Sequence, residues 1–337
     1  MTNGSIRALA ALSLIAVSGR AYAQDTGFTW ELELELGNEQ TYESDNPANE
    51  IRDTFATVTF GATYTFANGL ALFSTLVGES VTDPIADRSF DDLGLYAEEL
   101  GVRFGAGPAT FTLGKTAPVF GTAWDNAAGY FGDALAEDYE LVEQISLLAD
   151  IAVGETGTLS FGVFYADETN LSRSIGFDRG RNDSAAGGAG NTGQFDNFAV
   201  QWTQELGDTY YHVGARFLSE GAGDVDDETG VVAGVGHSLD TGIDLFAELA
   251  AFQNFGGGAE DATFATLNAA YGLGQVTLSG TYARRDLDMA GVTDLISIGA
   301  DYEVMDGLVI GGALAHVDDA GVTDQVLGVN LVWTLGS

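Results

Sequence analysis

Phe28-Thr29-Trp30-Glu31-Leu32-Glu33-Leu34-Glu35-Leu36 is a run in which every second residue is apolar. Successive side chains of a β-strand point to opposite faces, so Phe28, Trp30, Leu32, Leu34 and Leu36 share one face while Thr29, Glu31, Glu33 and Glu35 share the other. A helix, with its period of about 3.6 residues, would scatter the glutamates around its circumference. One face suits hydrocarbon and the other water, the pattern of a strand that separates lipid from an aqueous lumen.

The alternation continues at 54–66, where Ala56, Val58, Phe60, Ala62, Tyr64 and Phe66 oppose Thr57, Thr59, Gly61, Thr63 and Thr65 before the turn Ala67-Asn68-Gly69. Carried along the chain, it predicts strands at 28–36, 54–66, 70–79, 93–104, 109–115, 144–152, 158–166, 195–205, 209–219, 229–238, 243–252, 262–272, 275–284, 293–304, 308–317 and 324–335. Connections at 67–69, 105–108, 153–157, 206–208, 239–242, 273–274 and 305–307 are short, and each follows an even-numbered strand. Those at 37–53, 80–92, 116–143 and 167–194 are long. Outer-membrane barrels have short periplasmic turns and longer external loops, which places both chain ends on the periplasmic side. In lipid each unsatisfied backbone group costs several kcal/mol, so the sheet must close. The expected fold is all-β: a transmembrane antiparallel up-and-down β-barrel of about 16 strands in one domain.

Arg7 precedes an apolar stretch at 8–17 and then Ala21-Tyr22-Ala23, a small-residue cleavage site of the secretory type. Residues 1–23 are expected to be a signal peptide and 24–337 the barrel. No run reaches the roughly 18 apolar residues of a spanning helix. Loss of Arg7 and Arg20 moves the formal charge from −38 to −40, which excludes nucleic acid as a partner. Such a charge usually marks a disordered or soluble acidic chain, yet 45% of residues are hydrophobic. Segregation on two strand faces reconciles the two. Glycine is abundant at 46 and proline scarce at 4, a strand-and-turn vocabulary, and cysteine is absent, so no disulfide or thiolate site supports the fold.

Residues 110–115, Thr-Phe-Thr-Leu-Gly-Lys, lead into a long third external loop containing Phe120-Gly121 and Gly129-Tyr130-Phe131-Gly132-Asp133. With 298–303, 305–308 and the final strand Val326–Trp333, they make the chain resemble the Gram-negative general-diffusion porins of alphaproteobacterial type. The resemblance implies a homotrimer in the outer membrane, in contact with lipid and lipopolysaccharide, that passes small hydrophilic solutes and ions. It also implies that the long third loop is folded into the lumen as a constriction. The family normally ends on an aromatic residue, whereas this chain ends Trp333-Thr334-Leu335-Gly336-Ser337.

A loop so placed brings Asp125, Asp133, Glu137, Asp138, Glu140 and Glu143 into the narrowest region. Low-dielectric walls focus the field of fixed carboxylates on a passing ion, so cations are expected to be preferred. Such porins set base on the opposing wall. The alternation puts Arg103 and Arg216 on polar faces together with His212, and Arg52, Arg88 and Lys115 lie near loop–strand junctions. An arginine facing lipid at the bilayer midplane would cost roughly 2–4 kcal/mol, which favours the inward assignment. Glu31, Glu33 and Glu35 are expected on the pore wall.

Aromatics including Trp30, Tyr64, Phe66, Tyr96, Phe104, Tyr271, Tyr302 and Trp333 read as an interfacial girdle, with few left for a sugar-stacking ladder on the lumen face. No cofactor is expected. Calcium is a candidate ligand for Asp224, Asp226, Asp227 and Glu228 or for the glycine-rich segment 176–193, although neither matches a known calcium loop and solvated external loops are the simpler reading. His237-Ser238 is the sole adjacent base–nucleophile pair, and no partner acid is indicated by spacing, so an enzyme is not expected. The alternative of another class is a plugged, non-conducting barrel with a structural or adhesive role.

Overall fold

Backbone pairing sets the architecture, because every strand of the barrel wall but the first and last finds its partners next to it in sequence and those two find each other, while the two-residue strands Arg88–Ser89 and Ile175–Gly176 pair from within long connections. The computed structural model describes residues 26–337, and the expected export segment at 1–23 lies outside the described residues. The strands are β1 (Gly27–Ser44), β2 (Arg52–Thr65), β3 (Ala71–Ser80), β4 (Leu93–Ala106), β5 (Ala109–Thr116), β6 (Gln144–Val153), β7 (Gly157–Ala166) and β8 (Asn197–Leu206). They continue with β9 (Thr209–Leu218), β10 (Glu228–Ser238), β11 (Ile243–Gln253), β12 (Ala262–Leu273), β13 (Val276–Leu287), β14 (Gly291–Met305), β15 (Leu308–Asp319) and β16 (Val322–Gly336).

All neighbouring pairs are antiparallel, and β1 meets β16 in a register that sets Leu34 against Trp333 and Leu36 against Leu331. This pairing closes a barrel of 16 strands, the number expected from alternation. The displaced terminal aromatic is therefore paired inside the last ladder. The seven short turns fall where expected; in the two-residue turn Gly207-Asp208, Gly207 has φ 63°, a conformation that a side chain would strain.

One face of the barrel is apolar and exposed, as at Leu36, Leu72, Leu113, Val213, Leu249 and Ile298. A band of this kind is stable against lipid and not against water. Exposed Phe28, Tyr64, Phe66, Phe104, Tyr271, Tyr302 and Trp333 gather toward the short-turn end, as a girdle should. Tyr96 departs from that expectation. It is buried, its hydroxyl donates to Glu79 at 2.7 Å, and Arg179 lies over its ring, so it belongs to the polar face.

Two differences from the alternation reading have physical causes. β1 runs on to Ser44 although Asn38, Glu39 and Gln40 break the apolar pattern. These residues still pair with β2 and β16, and Asn38 Nδ2 donates to Thr54 Oγ1 at 2.7 Å. Once a strand leaves hydrocarbon, hydrogen bonding extends it and neither face need be apolar. In β4 the ladder slips, with Leu76 opposite Ala97 and Thr75 opposite Glu99, so Glu98 is the extra residue of a β-bulge.

The connection 117–143 is the largest departure from simple hairpins. Phe120, Ala123, Ala136, Tyr139 and Leu141 pack with Phe246, Phe252 and Phe264 of β11 and β12. Tyr130, Phe131, Ala134 and Leu135 pack with Ala283, Leu295, Ala315 and Val326 of β13–β16. These strand residues alternate with the exposed apolar ones, so the loop sits against the face opposite lipid.

Candidate pore lining and loop anchor

Glutamates and an arginine on the polar faces of β8–β12 supply the polar anchors of the 117–143 loop. Glu248, fully buried, accepts from the Thr122 amide at 2.7 Å and from the Tyr139 hydroxyl, and its other neighbour is the His212 imidazole at 2.7 Å. Gln201 accepts from the Gly121 amide at 2.8 Å, and Asn268 exchanges hydrogen bonds with both backbone groups of Ala128. Buried Arg216 donates to Glu228 at 2.7 Å and to the Tyr139 carbonyl, with its guanidinium 4.8 Å from the Phe120 ring centroid and 4.5 Å from that of Phe252. A buried charge is tolerated when it is paired and hydrogen-bonded in this way.

These contacts change the roles expected for the bases. Arg216 and His212 do lie on the polar faces of their strand, but both are sealed beneath the loop and do not stand as free base across from it. Lys115, also buried, bridges Glu143 at 2.9 Å and Asp167 at 3.0 Å and donates to the Leu171 carbonyl, while Arg179 also pairs with Glu143. The base of the loop is thereby clamped to the next long connection, 167–196. Arg88 pairs with Asp53. Arg103 stays half-exposed, 4.9 Å from the Phe73 ring centroid and bonded to Thr112, and Arg52 is exposed at the loop end of β2.

The six loop acids separate into three groups. Asp138 pairs with Arg285 at 2.7 Å, and Glu143 is tied to Lys115 and Arg179. Asp133 is buried beside Glu137, to which it hydrogen-bonds, and burial holds its carboxyl well above the usual range. Asp125 and Glu140 make no ion pair among the described residues. Protein surrounding the Asp125 carboxyl pushes it up to about 6, helped by Glu248, even though the residue is exposed. Burial, then Asp125 and Glu98, raise Glu140 to about 8.

Along β1, Glu31 and Glu33 are half-buried and Glu35 is buried, accepting from Asn330 at 2.7 Å, all on the face opposite the exposed Leu36. Polar-face aromatics are more numerous than alternation suggested: Phe73, Tyr96, Phe246, Phe252 and Phe264 all lie there. Phe252 and Phe264 are engaged by Tyr139 and form no open ladder.

The calcium candidates are not gathered into a site. Asp224 accepts from the Gly188 and Gly221 amides, Asp227 from Glu220, Asp226 from Asp227, and Glu228 is committed to Arg216 and the Gly256 amide. Their oxygens serve backbone donors, and among the described residues no group of His, Cys, Asp or Glu is arranged to hold a metal. His237 and Ser238 turn to different partners, Thr209 at 2.7 Å and Asp244 at 2.6 Å, as neighbours on a strand must.

Sequence reasoning missed Glu98 and Glu99 as joint members of the polar face. The signal was present: the outward residues Leu93, Leu95 and Ala97 give way to Leu100, Val102 and Phe104, a change of phase that only a bulge accommodates.

The closed 16-stranded barrel has solved counterparts. OprB of Pseudomonas putida, in a high-pH structure, superposes with a TM-score of 0.67 over 92% of this chain and 94% of that chain, at 10% identity. The fold is the porin fold. A multiply substituted variant of the Rh. blastica porin gives 0.60 at 14% identity, covering 92% of this chain and 100% of that one. A triple mutant of the Rhodopseudomonas blastica porin gives 0.58 at 14% identity with the same coverage. No protein-family model matches the sequence, and no curated protein sequence does either. At these identities the porins share a backbone plan with this chain, and function rests on the chain's own residues.

Proposed function

We propose that the chain forms a water-filled outer-membrane channel for passive diffusion of small hydrophilic solutes and ions, with cations preferred. In this reading the connection 117–143 narrows the lumen, and it acts as a general-diffusion porin of the alphaproteobacterial kind. The protein works as a homotrimer among outer-membrane lipid and lipopolysaccharide after removal of residues 1–23.

The observation that carries the reading is the pairing pattern of the loop. Its basic neighbours are consumed in anchoring it, whereas Asp125 and Glu140 keep carboxylates without an ion pair among the described residues. A unit charge about 6 Å from a cation in water contributes ~0.7 kcal/mol, about threefold in local concentration. Once both are ionised, above about pH 8, two such groups with the wall glutamates suffice for a moderate preference.

The test is the reversal potential of the purified protein in planar bilayers across a KCl gradient. A cation-selective sign is expected, with the preference reduced in the Asp125→Asn/Glu140→Gln double variant. A chloride-selective sign overturns the cation reading, and absence of conductance assigns the chain to the plugged, structural class.

A further inference from the structure

The arc of the barrel formed by β3–β5 contributes nothing to the two clusters that seat the 117–143 loop. On β4, regular alternation from Leu93 and Leu95 would carry Glu99, Gly101 and Arg103 outward into lipid. The bulge at Glu98 corrects the phase. Beyond it Leu100, Val102 and Phe104 take the lipid face, and the consecutive carboxylates Glu98 and Glu99 both turn inward. Glu99 accepts from Thr75 at 3.3 Å, on the same side as Glu79 and Tyr96.

In a constriction with acid on one side and base on the other, a dipolar solute is held across the pore by its two ends. Here most of the bases that could supply the second half are committed elsewhere: Lys115 to Glu143 and Asp167, Arg179 to Glu143, Arg216 to Glu228 beneath the loop. Arg103, on β4 itself, lies over the Phe73 ring with its charge acting on Glu99, which leaves Glu98 as the uncompensated member of the pair. Glu98 also contributes to the raised carboxyl of Glu140, which places the two acids within reach of each other's field.

We propose that Glu98, turned inward by the β-bulge, is a specificity-determining residue that makes the wall facing the loop anionic, so that the channel selects small linear dications over zwitterions and anions. The inference rests on the channel reading above and names its solute class. A diamine crossing between carboxylates on both sides meets a counter-charge at each ammonium, whereas a zwitterion carries its carboxylate against a like charge.

The test uses 1,4-diaminobutane dihydrochloride and glycine betaine with the full barrel in planar bilayers. The wild type is expected to show a reversal potential favouring the diamine over chloride and no retardation of current by the betaine. Measured at about pH 8.5, where the wall carboxylates are ionised, Glu98→Gln should lower the diamine preference about threefold, the effect of one unit charge at about 6 Å in water. Glu98→Asp should retain it, Glu98→Lys should push it further toward chloride, and Glu155→Gln in a short turn should leave it unchanged. Heat-modifiable electrophoretic mobility checks that each variant is a folded barrel. Should Glu98→Gln not fold, Glu98→Ser serves as the neutral variant. A cation-selective wild type whose neutral Glu98 variant keeps the full diamine preference overturns this inference alone. A wild type that is chloride-selective or closed overturns the channel reading with it.

Discussion

Arg216 shows how burial turns a charge on the pore face into a fastening. Its guanidinium lies against two adjacent aromatic rings and bonds Glu228 and the Tyr139 carbonyl, so it fixes the loop and is withdrawn from the lumen. Removing one partner of a buried ion pair costs about 3–5 kcal/mol because the other is left uncompensated. Arg216→Leu is therefore expected to lower the unfolding temperature in detergent and to raise channel conductance as the loop loosens. Unchanged thermal unfolding and unchanged conductance would contradict that role. Asp125 and Glu140 offer a second residue-level outcome. A carboxyl raised to about 6 or about 8 is neutral below that pH and anionic above it. Cation preference should thus grow in steps near pH 6 and pH 8 between pH 5 and pH 9, read from reversal potentials, and the Asp125→Asn/Glu140→Gln variant should flatten the profile.

Among the elements, the 117–143 loop depends on space left for it by the strands. A Cβ at Gly328 of β16 would come 2.2 Å from the Tyr130 ring, although the strand itself accepts a side chain there. Gly328→Val should displace Tyr130 at a cost of about 1–3 kcal/mol, typical of overpacking. The barrel should keep its heat-modifiable mobility while limited proteolysis in detergent begins to cut between 117 and 143. Persistent resistance to cleavage would show that the second aromatic cluster does not hold the loop. The β4 bulge belongs to this scale as well. Its trace in the sequence is the three-residue step from Ala97 to Leu100, legible only when the phase of alternation is followed along the strand.

Over the whole molecule, a formal charge of −38 is carried by a chain whose barrel has an apolar outer face, so the charge is concentrated on the polar face, loops and turns. Its long-range part is screened over about 10 Å at 0.1 M salt and about 3 Å at 1 M. Raising KCl from 0.1 M to 1 M at a fixed concentration ratio should reduce the cation preference of the wild type substantially. A preference independent of salt would mean that ions are selected by close contact and not by the field.

Strand number, the order of short and long connections and the lipid face were determined by sequence alone, because period-two alternation is a local property and lipid penalises every error in it. Glu31, Glu33, Glu35, Arg216 and His212 lie opposite the exposed apolar side chains of their strands. Tertiary structure decided what those side chains meet. Arg216 and Lys115 became anchors of the loop, His212 a partner of Glu248 beneath it, and Asp138 and Glu143 were paired with bases, because groups 28 to 147 residues apart in the chain come together only in the folded barrel. It also decided that Glu98 and Glu99 share a face, since a bulge is defined by the register of two strands and not by either sequence alone.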